Sequence, residues 1–253
     1  MTIFYFTATG NSLAVAKQIG GKLISIPQVI DSSKNHYTDD VIGVIFPVYS
    51  LAPPKMVREF IEKVRLEASY TFAIGTYGNM PGAVMNSVQK LAEKNGNHFD
   101  YVNDLLMLDN FLPVFEVGAE IEKLPQKKIE KMTEKIVEDI KSRRHRKAEA
   151  SMGTKMLTSV VSKMPTNGKG AQKYIVNDQC TRCGTCVKVC PTNNIKLTDK
   201  ISFSDRCLSC YACLHLCPYN AIHLKNEKSD QRWRNPEVPL KEIINANNRS
   251  GQG

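Results

Sequence analysis

The residues best able to do chemistry in this chain are its eight cysteines, all of which lie between positions 180 and 217. They read Cys180-x-x-Cys183-x-x-Cys186-x-x-x-Cys190-Pro191, then Cys207-x-x-Cys210-x-x-Cys213-x-x-x-Cys217-Pro218. The second run repeats the first at a period of 27 residues, and the echo continues past the cysteines into Ile195-Lys-Leu197 and Ile222-His-Leu224. Three thiolates at two-residue spacing can wrap one iron–sulfur cube, while a cysteine three residues on, followed by proline, points to the other cube. The spacing therefore predicts two 4Fe–4S clusters, one on Cys180, Cys183, Cys186 and Cys217, the other on Cys207, Cys210, Cys213 and Cys190. Pro191 and Pro218 fix φ and turn the chain out of each motif, and Gly184 lets backbone amides approach a cluster closely. Zinc also takes Cys-x-x-Cys pairs, but its sites rarely use three cysteines at this spacing with a fourth before proline. Disulfides need an oxidising compartment, and nothing in the sequence suggests export.

A second constellation lies at the start of the chain. Thr2 to Phe6 is β-prone and runs into Thr7-Ala8-Thr9-Gly10-Asn11-Ser12, after which Leu13 to Ile19 has a helical pattern closed by Gly20-Gly21. A strand, a polar loop and a helix in this order suit a phosphate, because the first helical turn leaves N–H groups free and its dipole favours an anion. The hydroxyls of Thr7, Thr9 and Ser12 and the Asn11 amide add donors, and Gly10 allows close approach. The loop has no lysine, which argues against a P-loop nucleotidase.

These loops need a scaffold to position them. Expected strands at Lys22–Ile26, Val41–Phe46, Tyr70–Gly75 and Phe99–Leu108 follow the first, with helices after Pro53-Pro54, over Ala83–Glu93 and over about Lys127–Lys147. Pro27 to Asp40 lacks a helical period, so the second crossover helix is expected to be short or missing. Alternating strands and helices imply a doubly wound, five-stranded parallel sheet of α/β class. Ligands of such sheets bind outside the carboxyl ends of the strands. The loops there are Thr7–Ser12, Pro47–Ala52 and Thr76–Gly82, and Tyr49 and Tyr77 offer flat faces.

Two resemblances add to this reading. Lys173 to Lys225 resembles the bacterial two-cluster ferredoxins, with every ligand position filled, a small α+β domain. Met1 to Lys147 resembles the flavodoxins through Thr-x-Thr-Gly-Asn-Ser at the end of the first strand. That resemblance implies FMN, its phosphate on Thr7, Ala8, Thr9, Gly10, Asn11 and Ser12, and its ring against Pro47, Val48, Tyr49 and Ser50 on one loop and Thr76, Tyr77, Gly78 and Asn79 on the other. The weak second helix and the lack of a tryptophan near the ring depart from the flavodoxin pattern. The domain order resembles the flavodoxin–ferredoxin fusion proteins of anaerobic bacteria and archaea. It implies an electron-transfer protein with FMN and two 4Fe–4S clusters, joining two-electron to one-electron redox partners. The expected divisions are 1–150, a linker 151–172, a cluster domain 173–226 and a tail 227–253. Two alternatives stand beside the relay. One is a flavin-dependent reductase with a substrate space under Asp109–Gly118. The other is a ferredoxin with an FMN-free docking domain. No triad or paired acid–base set stands out, so no catalytic residue is assigned.

Composition bounds the rest. At 253 residues and 42% hydrophobic content the chain can bury a sizeable core. No apolar run approaches a membrane span and no signal-peptide pattern is seen, so with the cysteine usage a reducing cytoplasm is expected. The net charge of +9 is matched by the segment Lys123–Lys173, with fourteen Lys or Arg against five Asp or Glu. That patch suits an acidic redox partner or, more simply, is a solvated helix face. It lacks the interleaved aromatics that stack single-stranded nucleic acid, so no nucleic acid is expected. The segment Met152–Met164 has an apolar face at helical spacing and is expected to dock on a domain. Trp233 is expected to anchor the tail. The five histidines, His36, His98, His145, His215 and His223, form no spaced cluster and read as structural or surface residues.

Overall fold

The computed structural model describes residues 1–161 and 173–249. Strand β1 (Thr2–Tyr5) leads through the Thr7–Gly10 turn into α1 (Asn11–Ile19) and back to β2 (Lys22–Ser25). The next crossover is reduced to a single turn, α2 (Ile26–Val29), opened by Pro27 at its tolerated start. A short β3 (His36–Thr38) precedes β4 (Val41–Pro47); α3 (Lys55–Lys63) and a short β5 (Arg65–Glu67) precede β6 (Tyr70–Tyr77). Helix α4 (Val84–Lys94) then returns the chain to β7 (Tyr101–Leu106).

The five long strands are all parallel, in the order β2-β1-β4-β6-β7. Numbered within the sheet this is 2-1-3-4-5, the flavodoxin-like winding, whose order reverses between β1 and β4. Successive side chains alternate across the sheet. Ile3 and Tyr5 face a core with Leu13, Ile136 and Ile140, while Phe4 and Phe6 face one with Val57, Phe60 and Val88. Both faces are therefore covered, as parallel strands require. The strands β3 and β5 form a separate two-stranded parallel ribbon. Sequence pattern did not show this ribbon, because three-residue strands are too short to carry a period.

After β7 come α5 (Val117–Glu122), a 3₁₀ turn at Leu124–Lys127, α6 (Ile129–Lys141), which covers the Ile3 face, and α7 (Met152–Val161). Helix α7 does dock, but by Thr158 rather than by its methionines. Thr158 Oγ1 accepts from Ala83 N–H at 2.8 Å, whereas Met152 and Met156 are 82% and 73% exposed. Met164 and the rest of the expected linker to residue 172 lie outside the described residues.

The cysteine-bearing unit is small. Strand β8 (Tyr174–Val176) pairs antiparallel with β11 (Ile222–Leu224), and β9 (Ile195–Leu197) with β10 (Ile201–Phe203). Two four-residue helices, α8 (Thr185–Lys188) and α9 (Ala212–His215), carry Cys186 and Cys213. The repeat seen in sequence is also a repeat in backbone. Arg182 and Ser209, Gly184 and Tyr211, and Asn193 and Asn220, each pair 27 residues apart, all have positive φ. The tail ends in α10 (Leu240–Asn247), which packs back against α1 and α2. Among the described residues no helix is long and apolar enough to cross a membrane.

Candidate functional site

A cavity of about 560 Å³ opens at the carboxyl ends of the parallel strands, where the strand order reverses. Its size is that of a small-molecule site. Thr7–Thr9, Asn11, Ser12, Pro47–Ser50 and Thr76–Asn79 line it. Of the fourteen residues expected at a flavin, Gly10 alone faces elsewhere. Its φ of 106° is the left-handed conformation open to glycine, and a Cβ there would fall 2.9 Å from Asn235 Cβ. Gly10 is thus shaped to meet the tail, which no local pattern in the loop announced.

The loop's polar groups are disposed for an anion. Thr7 Oγ1 accepts from Gly10 N–H at 3.2 Å, and Thr9 Oγ1 accepts from Asn110 Nδ2 at 2.7 Å. Each hydroxyl therefore keeps its own O–H to donate. Ser12 Oγ and Thr76 Oγ1 share one hydrogen bond at 2.8 Å, and Thr76 Oγ1 also donates to Phe46 C=O at 3.5 Å. The first-turn amides of α1 have no intrahelical acceptor. Higher up the cavity, the buried Tyr49 hydroxyl has no protein partner. Neutral donors, a helix N-terminus and an aromatic wall with an unspent hydroxyl fit a phosphate-bearing aromatic cofactor.

Residues not anticipated support and complete the walls. Lys127, within the basic segment read as solvated, has a side chain only 10% exposed. Its Nζ donates to Gly78 C=O at 3.0 Å, Met107 C=O at 2.7 Å and Glu120 Oε2 at 3.2 Å, so it pins the Thr76–Asn79 loop from behind. Asp109 sits so close to Gly78 that a Cβ there would be 2.4 Å from its Cα, and burial raises the Asp109 pKa. The apolar mouth is formed by Met80, Phe111, Val114, Phe115 and, from α7, Leu157 and Val161.

The last wall is the second cysteine motif itself, Leu208–Tyr211. Tyr211 is buried and its ring centroid lies 5.8 Å from that of Phe111. It holds φ at 56°, where the first motif has Gly184. A non-glycine residue there costs about 1–2 kcal/mol, so the tyrosine is kept against backbone preference by its place in the wall.

The cysteines gather in two crosswise groups. Cys190, Cys207, Cys210 and Cys213 line one small cavity. Burial pushes the Cys186 thiol up to about 11, and Cys217, Cys180 and Cys183 push it the same way. Burial likewise raises Cys210 and Cys213, with Cys190 and Cys207 adding to it. Thiols crowded in this way become thiolates together only when a cation offsets their repulsion. Peptide N–H groups already point at sulfur, Asn194 to Cys190, Ser209 to Cys207 and Ala221 to Cys217, each at 3.3 Å. Cys183 is exposed, whereas Cys213 is buried and Cys210 lines the cavity at the sheet edge.

Residues 179–221 match the 4Fe-4S dicluster domain family. The chain joins a flavodoxin-like sheet to a two-cluster ferredoxin domain. The ferredoxin domain carries two 4Fe–4S clusters, and the protein is of the electron-transfer class. No curated relative matches the chain significantly. Among solved structures, a protein of Bacteroides uniformis described provisionally as a flavoprotein shares 17% identity, over 43% of this chain and 91% of its own, at a TM-score of 0.33. The two-electron reduced flavodoxin of Megasphaera elsdenii shares 17%, over 44% and 90%, at 0.30. The Trp repressor binding protein of Bacillus subtilis shares 9%, over 43% and 84%, at 0.29. At these scores the fold assignment rests on the strand order, not on the neighbours.

Of the five histidines, only His215 is buried. Its Nδ1 accepts from Trp233 N–H at 3.2 Å, so its Nε2 carries the proton and donates to Asn110 C=O at 2.9 Å. Burial pushes its pKa down to about 4, which keeps the ring neutral at neutral pH. Trp233 packs against the ferredoxin core, so the tail is anchored where its ring was expected to act.

Proposed function

We propose that this protein relays electrons between FMN, held in the cavity at the sheet's carboxyl edge, and two clusters in series. The observation that carries the reading is the shared wall: Leu208–Tyr211, within the second cysteine motif, lines the same cavity as the Thr7–Ser12 loop. Thr7, Thr9 and Ser12 would hold the phosphate by hydroxyls and first-turn amides. Tyr49 and Tyr77 would flank the ring, with Lys127 and Asp109 fixing the loop beside it. When bound, FMN supplies a centre that takes two electrons and releases them singly. Cys207, Cys210, Cys213 and Cys190 would hold the cluster next to the cavity. Cys180, Cys183, Cys186 and Cys217 would hold the outer one, near the surface at Cys183, where one-electron partners exchange. The chain's own part is to bind, to orient and to keep the inner cluster dry.

The phosphate site has no countercharge from Lys or Arg in its loop, so it is sensitive to an added anion. Thr9→Asp places a carboxylate beside the phosphate, and a like charge at about 4 Å costs roughly 4 kcal/mol at an effective dielectric of 20, near a thousandfold in affinity. Protein purified without oxygen is expected to carry iron and FMN in the wild type, and full iron with little flavin in the variant. A variant that keeps its FMN would show the phosphate to lie elsewhere.

A second reading, a flavin-dependent reductase, is favoured by one feature. The cavity continues past the strand loops to an apolar mouth under Asp109–Phe115, with Met80, Val114 and Leu157 open to solvent. Steady turnover of a small oxidant, faster than leakage to oxygen, separates this reading from the relay.

A further inference from the structure

The duplicated cysteine motif diverges where its second copy meets the sheet domain. Across the 27-residue period Gly184 becomes Tyr211 and Lys188 becomes His215. Lys188 is exposed, while His215 is 5% exposed and bonded through both ring nitrogens. From His215 two polar arms lead to one place. One passes through Asn110, whose C=O accepts from His215 Nε2 and whose Nδ2 donates to Thr9 Oγ1 at 2.7 Å. The other leaves through Trp233, whose N–H the ring holds, and reaches Asn235 two residues on. Asn235 N–H donates to Thr9 C=O at 2.8 Å, and its Nδ2 donates to Asn11 Oδ1 at 3.2 Å. Further along the tail, the fully buried Asn247 donates from Nδ2 to Thr7 C=O at 3.0 Å. The Thr7–Asn11 loop is thus held by Asn110, which lines the cavity, and from outside it by Asn235 and Asn247; of these, Asn110 is bonded directly to His215 and Asn235 follows the Trp233 that His215 holds.

We propose that the second cysteine motif sets the shape of the phosphate loop, so that assembly of its cluster tightens FMN binding and bound FMN in turn protects the cluster. The proposal rests on the FMN reading above. His215 and Asn235 are positioning residues here, since neither lines the cavity and both act through Thr9 or Asn11. The coupling has a physical source in the size of the ferredoxin domain. Its helices are single turns and its strands are three residues long, too short to stand without the free energy of metal binding. When that domain loosens, His215 and Trp233 release the loop. Because binding free energies are linked, the effect runs equally from FMN to cluster.

The test uses the full chain with its clusters, and compares wild type with Asn235→Ala and His215→Phe. Three quantities are read: FMN affinity by quenching of flavin fluorescence, amide hydrogen exchange over residues 7–13 before FMN is added, and iron released to a chelator with and without FMN. Asn235→Ala, remote from the cysteines in sequence, is expected to keep its iron, to exchange faster over 7–13 and to bind FMN about five- to tenfold more weakly, as loss of one hydrogen bond predicts. His215→Phe cuts both arms and is expected to lose more. FMN should slow iron release in the wild type and do so less in both variants. Wild-type exchange and wild-type FMN affinity in both variants would overturn the proposal. A wild type that binds no FMN would sink the flavin reading instead, and the tie is then judged on exchange alone: faster exchange supports it and unchanged exchange overturns it.

Discussion

At the scale of single residues, the crosswise cysteine sets carry the sharpest expectation. Cys190 belongs in sequence to the first motif but shares its cavity with Cys207, Cys210 and Cys213. Cys190→Ala is therefore expected to damage the inner cluster, leaving at most a three-iron remnant on three thiolates. Cluster-resolved electron paramagnetic resonance checks this, and loss confined to the outer cluster would reverse the assignment. The cysteines were legible in sequence because a ligand set is a matter of residue type and spacing, both of which survive without coordinates. His215 was not legible. It differs from Lys188 only in residue type, and it is bonded to Asn110, 105 residues before it, and to Trp233, 18 residues after it, contacts that no local pattern announces. Gly10 shows the same limit, since glycine in a phosphate loop is expected, but its contact with Asn235 joins positions more than 200 residues apart.

At the scale of elements, the sheet depends on tight central packing. Gly43 lies within β4, where a Cβ would come 2.1 Å from the tip of the fully buried Phe72 ring on the neighbouring β6. Gly43→Ala forces that ring off its rotamer or spreads the strands, at a cost of about 1–3 kcal/mol. A melting temperature of the sheet domain lowered by several degrees is expected by circular dichroism, with cluster absorbance at low temperature unchanged; an unaltered melting curve would contradict this packing account. The long strands were readable because they are buried on both faces and form continuous apolar runs such as Val41–Phe46. The shortened second crossover was readable too, from the missing helical period of Pro27–Asp40, and α2 is indeed a single turn. The β3–β5 ribbon and the docking of α7 by Thr158 were not, since each is fixed by partners rather than by its own period.

At the scale of the whole molecule, the chain closes on itself. It runs from sheet to ferredoxin domain and returns, with Lys17 paired to Glu242 at 2.9 Å and Ser25 Oγ donating to Ala246 C=O at 2.6 Å. Arg249 then reaches Pro191 C=O, beside Cys190. The tail is thus part of both functional regions. The basic segment is less uniform than its composition suggests. Lys127 is largely buried behind the Thr76–Asn79 loop, Lys123 pairs with Glu120, and Arg143 and Arg144 pair with Asp40 and Asp139. Among the described residues, Lys128, Lys131, Lys135 and Lys141 are exposed and open to an acidic redox partner. If they steer it, the association rate should fall steeply as ionic strength rises. A flat salt response would return the segment to a solvated face.

The central claim is that FMN and the inner cluster face each other across the Leu208–Tyr211 wall and exchange electrons within one molecule. Flash photoreduction of the flavin, followed by the bleaching of cluster absorbance, tests it most directly. The account predicts a first-order transfer whose rate does not change with protein concentration. A rate that rises in proportion to concentration, or reduced flavin that leaves the clusters oxidised, would contradict it.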